Sequence, residues 1–348
     1  MTRLKLTMLS SSLETGCDGV NDYTRQTARA IVARQGASMS ERAAICTLFE
    51  GDYHYGLGAL ANSLYRHGYR GTIWAGYRGA LPPWASSAGG CPEDAEFPVA
   101  DGCAIRFLRL QTDRHLTNYK PDFLADLWQR FCPDADALFY FDPDIVIKCA
   151  WSFFEEWASY GVALCEDINS PMPSSHPIRQ AWRGFCGENG VPLPRELDAY
   201  VSGGFVGLSR KHAALLVTWK KLIQALEGKT GNLKQIGFGD RPYAFYNADQ
   251  DVLNMTLMST SEPLSLIGRE GMDFIPGGYT MSHAAGGVKP WRKRMLWSAL
   301  RGIPPTLPDK AYWQNTRCPL RLYSAAAAWL HRCDLVAASA VGRVLRRA

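Results

Sequence analysis

Three short segments of the 348-residue chain carry residue types able to do chemistry together. The first is Asp142-Pro143-Asp144, set directly after the apolar run ALFYF from Ala137 to Phe141. Paired carboxylates at a strand end can hold a hard divalent cation through oxygen, and Mg²⁺ or Mn²⁺ so held can bridge diphosphate oxygens and offset their charge. Proline between them fixes φ and removes a donor, which a strand terminus tolerates. Taken alone, the same letters describe a polar turn. The second segment, HAAGGVKPW from His283 to Trp291, combines a borderline metal ligand, glycines that allow close backbone approach, and a cation. His283 would complete the metal's protein ligands, and Lys289 would act as a point charge on phosphate. Third, Asn247, Asp249, Gln250, Asp251 and Asn254 cluster amides and carboxylates in an acidic turn before an apolar helix. They would either cap that helix or grip sugar hydroxyls, with Gln250 or Asp249 stabilising positive charge at an anomeric carbon.

The elements that must position these groups follow from periodicity. AAICTLF from Ala43 predicts a strand, and Leu57, Leu60, Ala61 and Leu64 recur at helical spacing up to a stop near Gly68. Thr72 to Ala75 supplies the next strand. This strand, helix, strand order is a βαβ unit, which favours a mostly parallel sheet with ligands at the carboxyl ends of the strands, where EGDYHYG lies. Prolines, glycines and serines between residues 80 and 104 predict a loop or excursion before IRFLRL resumes strand character. Further strands are expected at ALFYF, GVALC and YVSGGFVGL, and helices at DFLADLWQRF, HAALLVTWKKLIQAL and AAAAWLHRCDLVAASAVGRVL.

Together the three segments resemble glycosyltransferase family 8, the retaining group that includes glycogenin and bacterial lipopolysaccharide galactosyl- and glucosyltransferases. The matching letters are Asp142 with Asp144, DQDVLN from Asp249, and His283 through Trp291, and the resemblance spans Ala43 to Trp291. It implies a single GT-A nucleotide-diphospho-sugar domain of α/β class with a mostly parallel central sheet. It implies Mn²⁺ (or Mg²⁺) on Asp142, Asp144 and His283, the diphosphate of a UDP-sugar donor on Lys289 and Gly286, and the sugar near Asp249 and Gln250. Glu50, Asp52 and Tyr53 fall where the family holds uridine. Asp167, or its neighbour Glu166, falls at a donor-sugar carboxylate. Relatives show an NxG turn where this chain has Ser202-Gly203-Gly204, and the insertion from Leu81 to Cys103 lies outside the match. The acceptor, a glycan, glycolipid or protein, is not readable. The segment GVNDYTRQTARAI resembles, over a short stretch, the opening of a different glycosyltransferase class with two Rossmann-like domains.

Composition sets the remaining limits. With 47% hydrophobic and 20% charged residues the chain reads as an ordinary globular protein. Residues 1–41 read as an N-terminal extension, 42–291 as the catalytic domain and 292–348 as a basic, partly helical C-terminal region. Ten cysteines without a CxxC pair predict packing thiols in a reducing, cytoplasmic compartment rather than structural zinc. No stretch approaches the length of a membrane span, no signal peptide is read, and no nucleic-acid partner is expected. From Lys289 onward 12 Lys or Arg face 2 Asp. This basic end, with Trp297, Trp313, Tyr323 and Trp329, predicts peripheral contact with an anionic membrane, or else Trp329, Leu330 and Leu335 pack inward and the arginines are solvated. An inverting GT-A transferase or a nucleotidyltransferase would share the carboxylates and the sheet-end site, though not HxxGxxKPW. A non-catalytic nucleotide-sugar-binding subunit would share the fold.

Overall fold

The computed structural model describes residues 43–86, 96–240 and 242–345; the N-terminal extension, with GVNDYTRQTARAI, lies outside them. Ten strands are described. They are β1 (Ala43–Glu50), β2 (Gly71–Arg78), β3 (Glu96–Ala100), β4 (Cys103–Arg109), β5 (Ala137–Phe141), β6 (Ile145–Ile147), β7 (Val162–Cys165), β8 (Phe205–Ser209), β9 (Leu264–Ile267) and β10 (Met281–His283). The α-helices are α1 (His54–Arg66), α2 (Pro83–Ser86), α3 (Lys120–Asp126), α4 (Trp151–Ser159), α5 (Pro177–Glu188), α6 (Ala214–Thr230), α7 (Ala248–Ser259), α8 (Met295–Leu300), α9 (Leu307–Gln314) and α10 (Ala325–Leu345).

Eight strands form one sheet in the order β3-β4-β2-β1-β5-β8-β7-β9. Its centre is parallel: β1 pairs in parallel with β2 and β5, and β2 with β4. β3 and β8 run antiparallel to their neighbours. Strands covered on both faces must be apolar throughout rather than alternating, and every residue of β5 is buried. One fully buried phenylalanine such as Phe139 contributes on the order of 2 kcal/mol of transfer free energy. The two faces carry separate apolar cores. Leu138, Tyr140 and Trp219 belong to one, and Phe139, Phe141 and Trp151 to the other. β5 therefore ties both layers together just before it delivers Asp142.

α1 shows why glycine stands in a helix that would be more stable with alanine. A Cβ on Gly56 would lie 2.4 Å from the Pro143 carbonyl oxygen, and one on Gly58 would lie 2.3 Å from Leu322 Cδ2. The bare face admits the DPD turn on one side and the C-terminal region on the other. Buried Asn62 on the same helix donates to the carbonyls of Asn315 and Leu320 at 2.7 and 2.9 Å and accepts from Leu320 N–H at 2.7 Å. Residues after Trp291 thus pack on the sheet domain, and all described residues fall in one compact unit.

Several expectations are corrected. The excursion before β4 contains a strand, β3, because Phe97 and Val99 alternate inward and extend the sheet edge. NADQDVLN is not a turn preceding a helix but the first turns of α7 itself, with Asn247 at the N-cap position. The Asn247 side chain makes no capping bond; the Asp251 carboxylate instead reaches back to accept Asn247 N–H at 2.9 Å. Of the four aromatic residues read as facing a membrane, Trp313 is buried and Tyr323 stacks on Tyr55 with ring centroids 4.9 Å apart, since both fill the seam against α1. Trp329 and Leu330 are exposed, while Leu335 packs against the core. Cys46, Cys103, Cys165 and Cys186 are buried free thiols, as expected. Among the described residues no helix is long and apolar enough to cross a membrane.

Candidate functional site

Two ladder registers bring distant segments to one point. β6 and β10 pair antiparallel with His283 opposite Ile145, and Ala284 N–H continues the ladder to the Asp144 carbonyl at 3.1 Å. β5 and β8 pair with Phe141 opposite Phe205, and Asp142 N–H continues that ladder to the Gly204 carbonyl at 2.7 Å. Consequently Asp142, Asp144, His283 and Gly204 meet where β5 ends.

One oxygen of each carboxylate faces His283: Asp144 Oδ1 lies 3.3 Å and Asp142 Oδ2 3.7 Å from His283 Nε2. The three ligand atoms fall within 4.8 Å of one another. The other oxygen of each carboxylate is held from behind. Asp144 Oδ2 accepts from Lys289 Nζ at 2.6 Å, and Asp142 Oδ1 accepts from Tyr140 OH at 2.7 Å with Lys120 Nζ 3.2 Å away. Burial pushes the Asp144 carboxyl up, but His283 and Lys289 outweigh it and hold the group well below the ordinary carboxylate range. Lys289 is likewise kept charged, the cost of burial being exceeded by its pairing with Asp144. Two carboxylate oxygens and an imidazole nitrogen converging within 4.8 Å suit a divalent cation. The site leaves no room behind it: a Cβ on Gly204 would stand 2.6 Å from His283 Cε1 and 3.2 Å from Asp142 Oδ2.

Beside this cluster opens a cavity of about 430 Å³ at the carboxyl ends of β1, β5 and β7. Glu50, Tyr53, Asp167, Ser202, Gly204, Asp249, Gln250 and Lys289 all line it together with the Asp-Asp-His cluster. Asp167 lines it and Glu166 does not; Asp167 Oδ1 accepts from Asn169 N and Nδ2 at 3.0 and 2.6 Å. Gln250 Oε1 accepts from Gly203 N–H at 3.0 Å, which fixes the SGG turn against α7. Two residues from the sequence reading are not among the lining. Asp52 is paired with the Arg292 guanidinium, which holds its carboxyl low, and Gly286 sits on an exposed turn. Tyr53 meets Trp291 edge-on at 5.5 Å, an aromatic wall linking the first strand's end to the KPW segment.

Sequence reasoning missed Lys120. Its Nζ is buried, bonds Asp249 Oδ2 at 2.7 Å and the Gly203 carbonyl at 2.8 Å, and reaches Asp142 Oδ1, so one cation joins the metal-type carboxylate to the Asp249 carboxylate. Burial opposes its charge, but Asp142 and Asp249 raise it above the ordinary lysine value. The only signal was its position before Pro121, at the start of an apolar helix. His115, another lining residue, is pushed below the ordinary histidine value by burial.

No family model and no curated protein matches the chain. Among solved structures it is similar to the bifunctional glycosyltransferase WbbM in its apo form, at 17% identity and a TM-score of 0.50, over 83% of this chain and 51% of that one. It is also similar to the glycosyltransferase GlyE of Streptococcus pneumoniae TIGR4, at 16% identity and a TM-score of 0.45, over 84% of this chain and 64% of that one. The chain spans about half the length of the WbbM protein it matches. At that identity the likeness shows the fold alone, a mixed α/β, GT-A-like glycosyltransferase architecture. The Asp142-Asp144-His283 cluster at its strand-end cleft has the ligand types and spacing that could hold a metal.

Proposed function

We propose that the chain is a metal-dependent glycosyltransferase that moves a hexose from a UDP-sugar to an acceptor hydroxyl with retention of anomeric configuration. The observation carrying this reading is the convergence of Asp142 Oδ2, Asp144 Oδ1 and His283 Nε2 beside Lys289, in a cleft also lined by Asp249 and Gln250. Mn²⁺ or Mg²⁺ on the three ligands would offset charge on the donor diphosphate. Lys289 is the adjacent cation for phosphate, and Tyr53 and Glu50 are the lining groups for the base, without Asp52. In the transfer, the bond from C1 of the sugar to the β-phosphate oxygen breaks and its electron pair stays on the diphosphate. The acceptor oxygen bonds C1 from the same face, and its proton passes to the departing phosphate oxygen. Gln250 and Asp249 border the positive charge that develops at C1; a carboxamide is a poor nucleophile, which favours front-face attack over a covalent intermediate. In this reading 42–291 is the catalytic domain and 292–348 an appended basic region.

The same reading keeps the basic end at the cytosolic face of an anionic membrane. Trp297, Leu300, Trp329 and Leu330 are exposed there, and the Arg301 guanidinium lies 4.8 Å over the Trp297 ring. Apolar rings bordered by arginine suit a headgroup boundary.

A panel of nucleotide sugars, incubated with Mn²⁺ or with excess chelator, tests the function. Cation-dependent release of UDP from one donor, lost in Asp144→Asn, is expected, because the amide keeps the shape but not the anionic oxygen a hard cation prefers. Proton NMR of the first product reads the configuration. Full turnover in chelator refutes the metal role, a β product from an α donor refutes retention, and UDP binding without transfer to any acceptor leaves a binding subunit.

A further inference from the structure

His283 differs from most metal-binding histidines in what orients its ring. A ligating imidazole almost always donates its second ring N–H to a carboxylate, a carbonyl or water, and that bond fixes the ring plane. With Nε2 turned to Asp142 and Asp144, the second nitrogen is Nδ1, which is buried and has no hydrogen-bond partner among the described residues. Packing holds the ring instead. The Gly204 backbone lies against it, so close that a Cβ there would stand 2.9 Å from Nδ1. The Phe274 ring is its aromatic neighbour, with centroids 5.8 Å apart and planes tilted by 43°. Phe274 is half-buried and lines the cleft.

The loop between β9 and β10 that carries Phe274 is fixed in shape. Asp273, just before it, is the only described residue other than glycine with positive φ, at 57°. Aspartate visits the left-handed region more readily than most residues, but the conformation still costs energy and persists where neighbours enforce it. Lys148, the residue after β6, supplies that constraint. Its Nζ donates to Asp273 Oδ1 at 2.6 Å and to the Gly278 carbonyl at 2.7 Å, and its backbone N–H donates to the Thr280 carbonyl at 2.9 Å. The Asp273 side chain is 2% exposed, so water competes little for this pair. Phe274 N–H donates to the Arg269 carbonyl at 3.1 Å, and the loop closes so tightly that a Cβ on Gly278 would lie 1.6 Å from the Glu270 carbonyl oxygen. β6 starts directly after Asp144 and β10 ends at His283, so the staple and two of the ligands hang on one two-stranded ladder.

We infer that Phe274 is a positioning residue for His283: its ring, fixed by the Lys148–Asp273 staple, sets the plane in which Nε2 meets a divalent cation at Asp142 and Asp144. The inference rests on the proposed metal-dependent reading and adds to it the side chain that orients one ligand. A ring held by packing loses its orientation when the packing partner is cut away, because no polar contact of Nδ1 remains to restore it.

Mn²⁺ binding to the full chain in the presence of UDP tests this. Electron paramagnetic resonance counts the free ion, and spin-echo modulation of the bound ion reads whether a nitrogen is coordinated. The parent should show nitrogen modulation. Phe274→Ala should bind Mn²⁺ about tenfold more weakly, the usual loss when a ligand's supporting contact is removed, with shallower modulation. Phe274→Leu, which keeps most of the apolar bulk, should retain most of both. Lys148→Met, which unfastens the loop, should move both readouts in the same direction as Phe274→Ala. UDP affinity in excess chelator and the native circular dichroism should stay as in the parent. Parent-like affinity and modulation in Phe274→Ala or in Lys148→Met overturns the inference. So does an equal loss of UDP binding in chelator, which would make Phe274 a nucleotide contact. A parent without nitrogen modulation refutes His283 as a ligand and with it the metal reading, a failure distinct from the other two.

Discussion

Replacing Lys120 by methionine keeps the apolar stem of the side chain and removes the terminal ammonium, with its charge and its donors. Lys120 is 1% exposed, and its Nζ stands 2.7 Å from Asp249 Oδ2 and 3.2 Å from Asp142 Oδ1. Without it, two largely buried carboxylates beside the cleft lose their shared counterion, and the Gly203 carbonyl loses its donor. Breaking a buried pair from one side costs about 3–5 kcal/mol, because the partner charge remains without compensation. For a chain of this size that corresponds to a midpoint drop on the order of 10 °C. Lys120→Met should therefore unfold earlier in heat and in urea and lose turnover through a displaced Asp249. Asp249→Asn in the same chain removes one of the stranded charges. The double variant should be more stable than the two single losses add up to, by roughly 1–3 kcal/mol. Urea unfolding of all four proteins completes the cycle. A single variant within about 1 kcal/mol of the parent, or strictly additive losses, would refute the buried-counterion argument.

Gly204→Ala should weaken Mn²⁺-dependent UDP binding by at least tenfold while the fold persists, since the new methyl pushes directly on His283 and Asp142; calorimetry with native circular dichroism checks it. Asp251, whose carboxyl is raised to about 8, binds a proton in the folded chain that it sheds near 4 when unfolded, so its contribution to stability is complete below pH 4 and is lost as pH rises through 8. Denaturant midpoints of the parent should accordingly fall relative to Asp251→Asn between pH 5 and 8, and parallel profiles would contradict the assignment. At the basic end, Arg294, Arg301, Arg332 and Arg343 at about 1 kcal/mol each supply useful attraction to an anionic surface at low salt. Cosedimentation should favour anionic over neutral vesicles, fade with salt, and drop in Trp297→Ala with Trp329→Ala; equal recovery in the supernatant throughout would end the membrane reading.

Some of this protein is determined by sequence alone, because local chemistry suffices. The continuous apolar run of β5 announces a strand covered on both faces, and a carboxylate pair at its end is either a polar turn or a cation site. The helix period from Leu57 to Leu64 and the stop at Gly68 define α1 in the same local way. Burial and register were different: they depend on partners far along the chain. Lys120 reads as a solvated helix residue until Gly203 and Asp249 close over it, and only that closure makes it a counterion shared by two carboxylates. His283 earns its place by the β6–β10 register, since a slip of one residue would turn its ring to the other face. Asp52 stands at the first strand's end as expected, yet Arg292, 240 positions later, draws its carboxylate out of the cleft. Trp313 and Trp329 look alike as letters; the seam against α1 buries the first and leaves the second in solvent. Ala244 and Phe245 are buried between two more exposed tyrosines because Trp182 and Phe185, far back in the chain, hold them. Periodicity and motif are properties of neighbours in sequence, whereas charge pairing, register and exposure are decided by which surfaces meet when the chain closes.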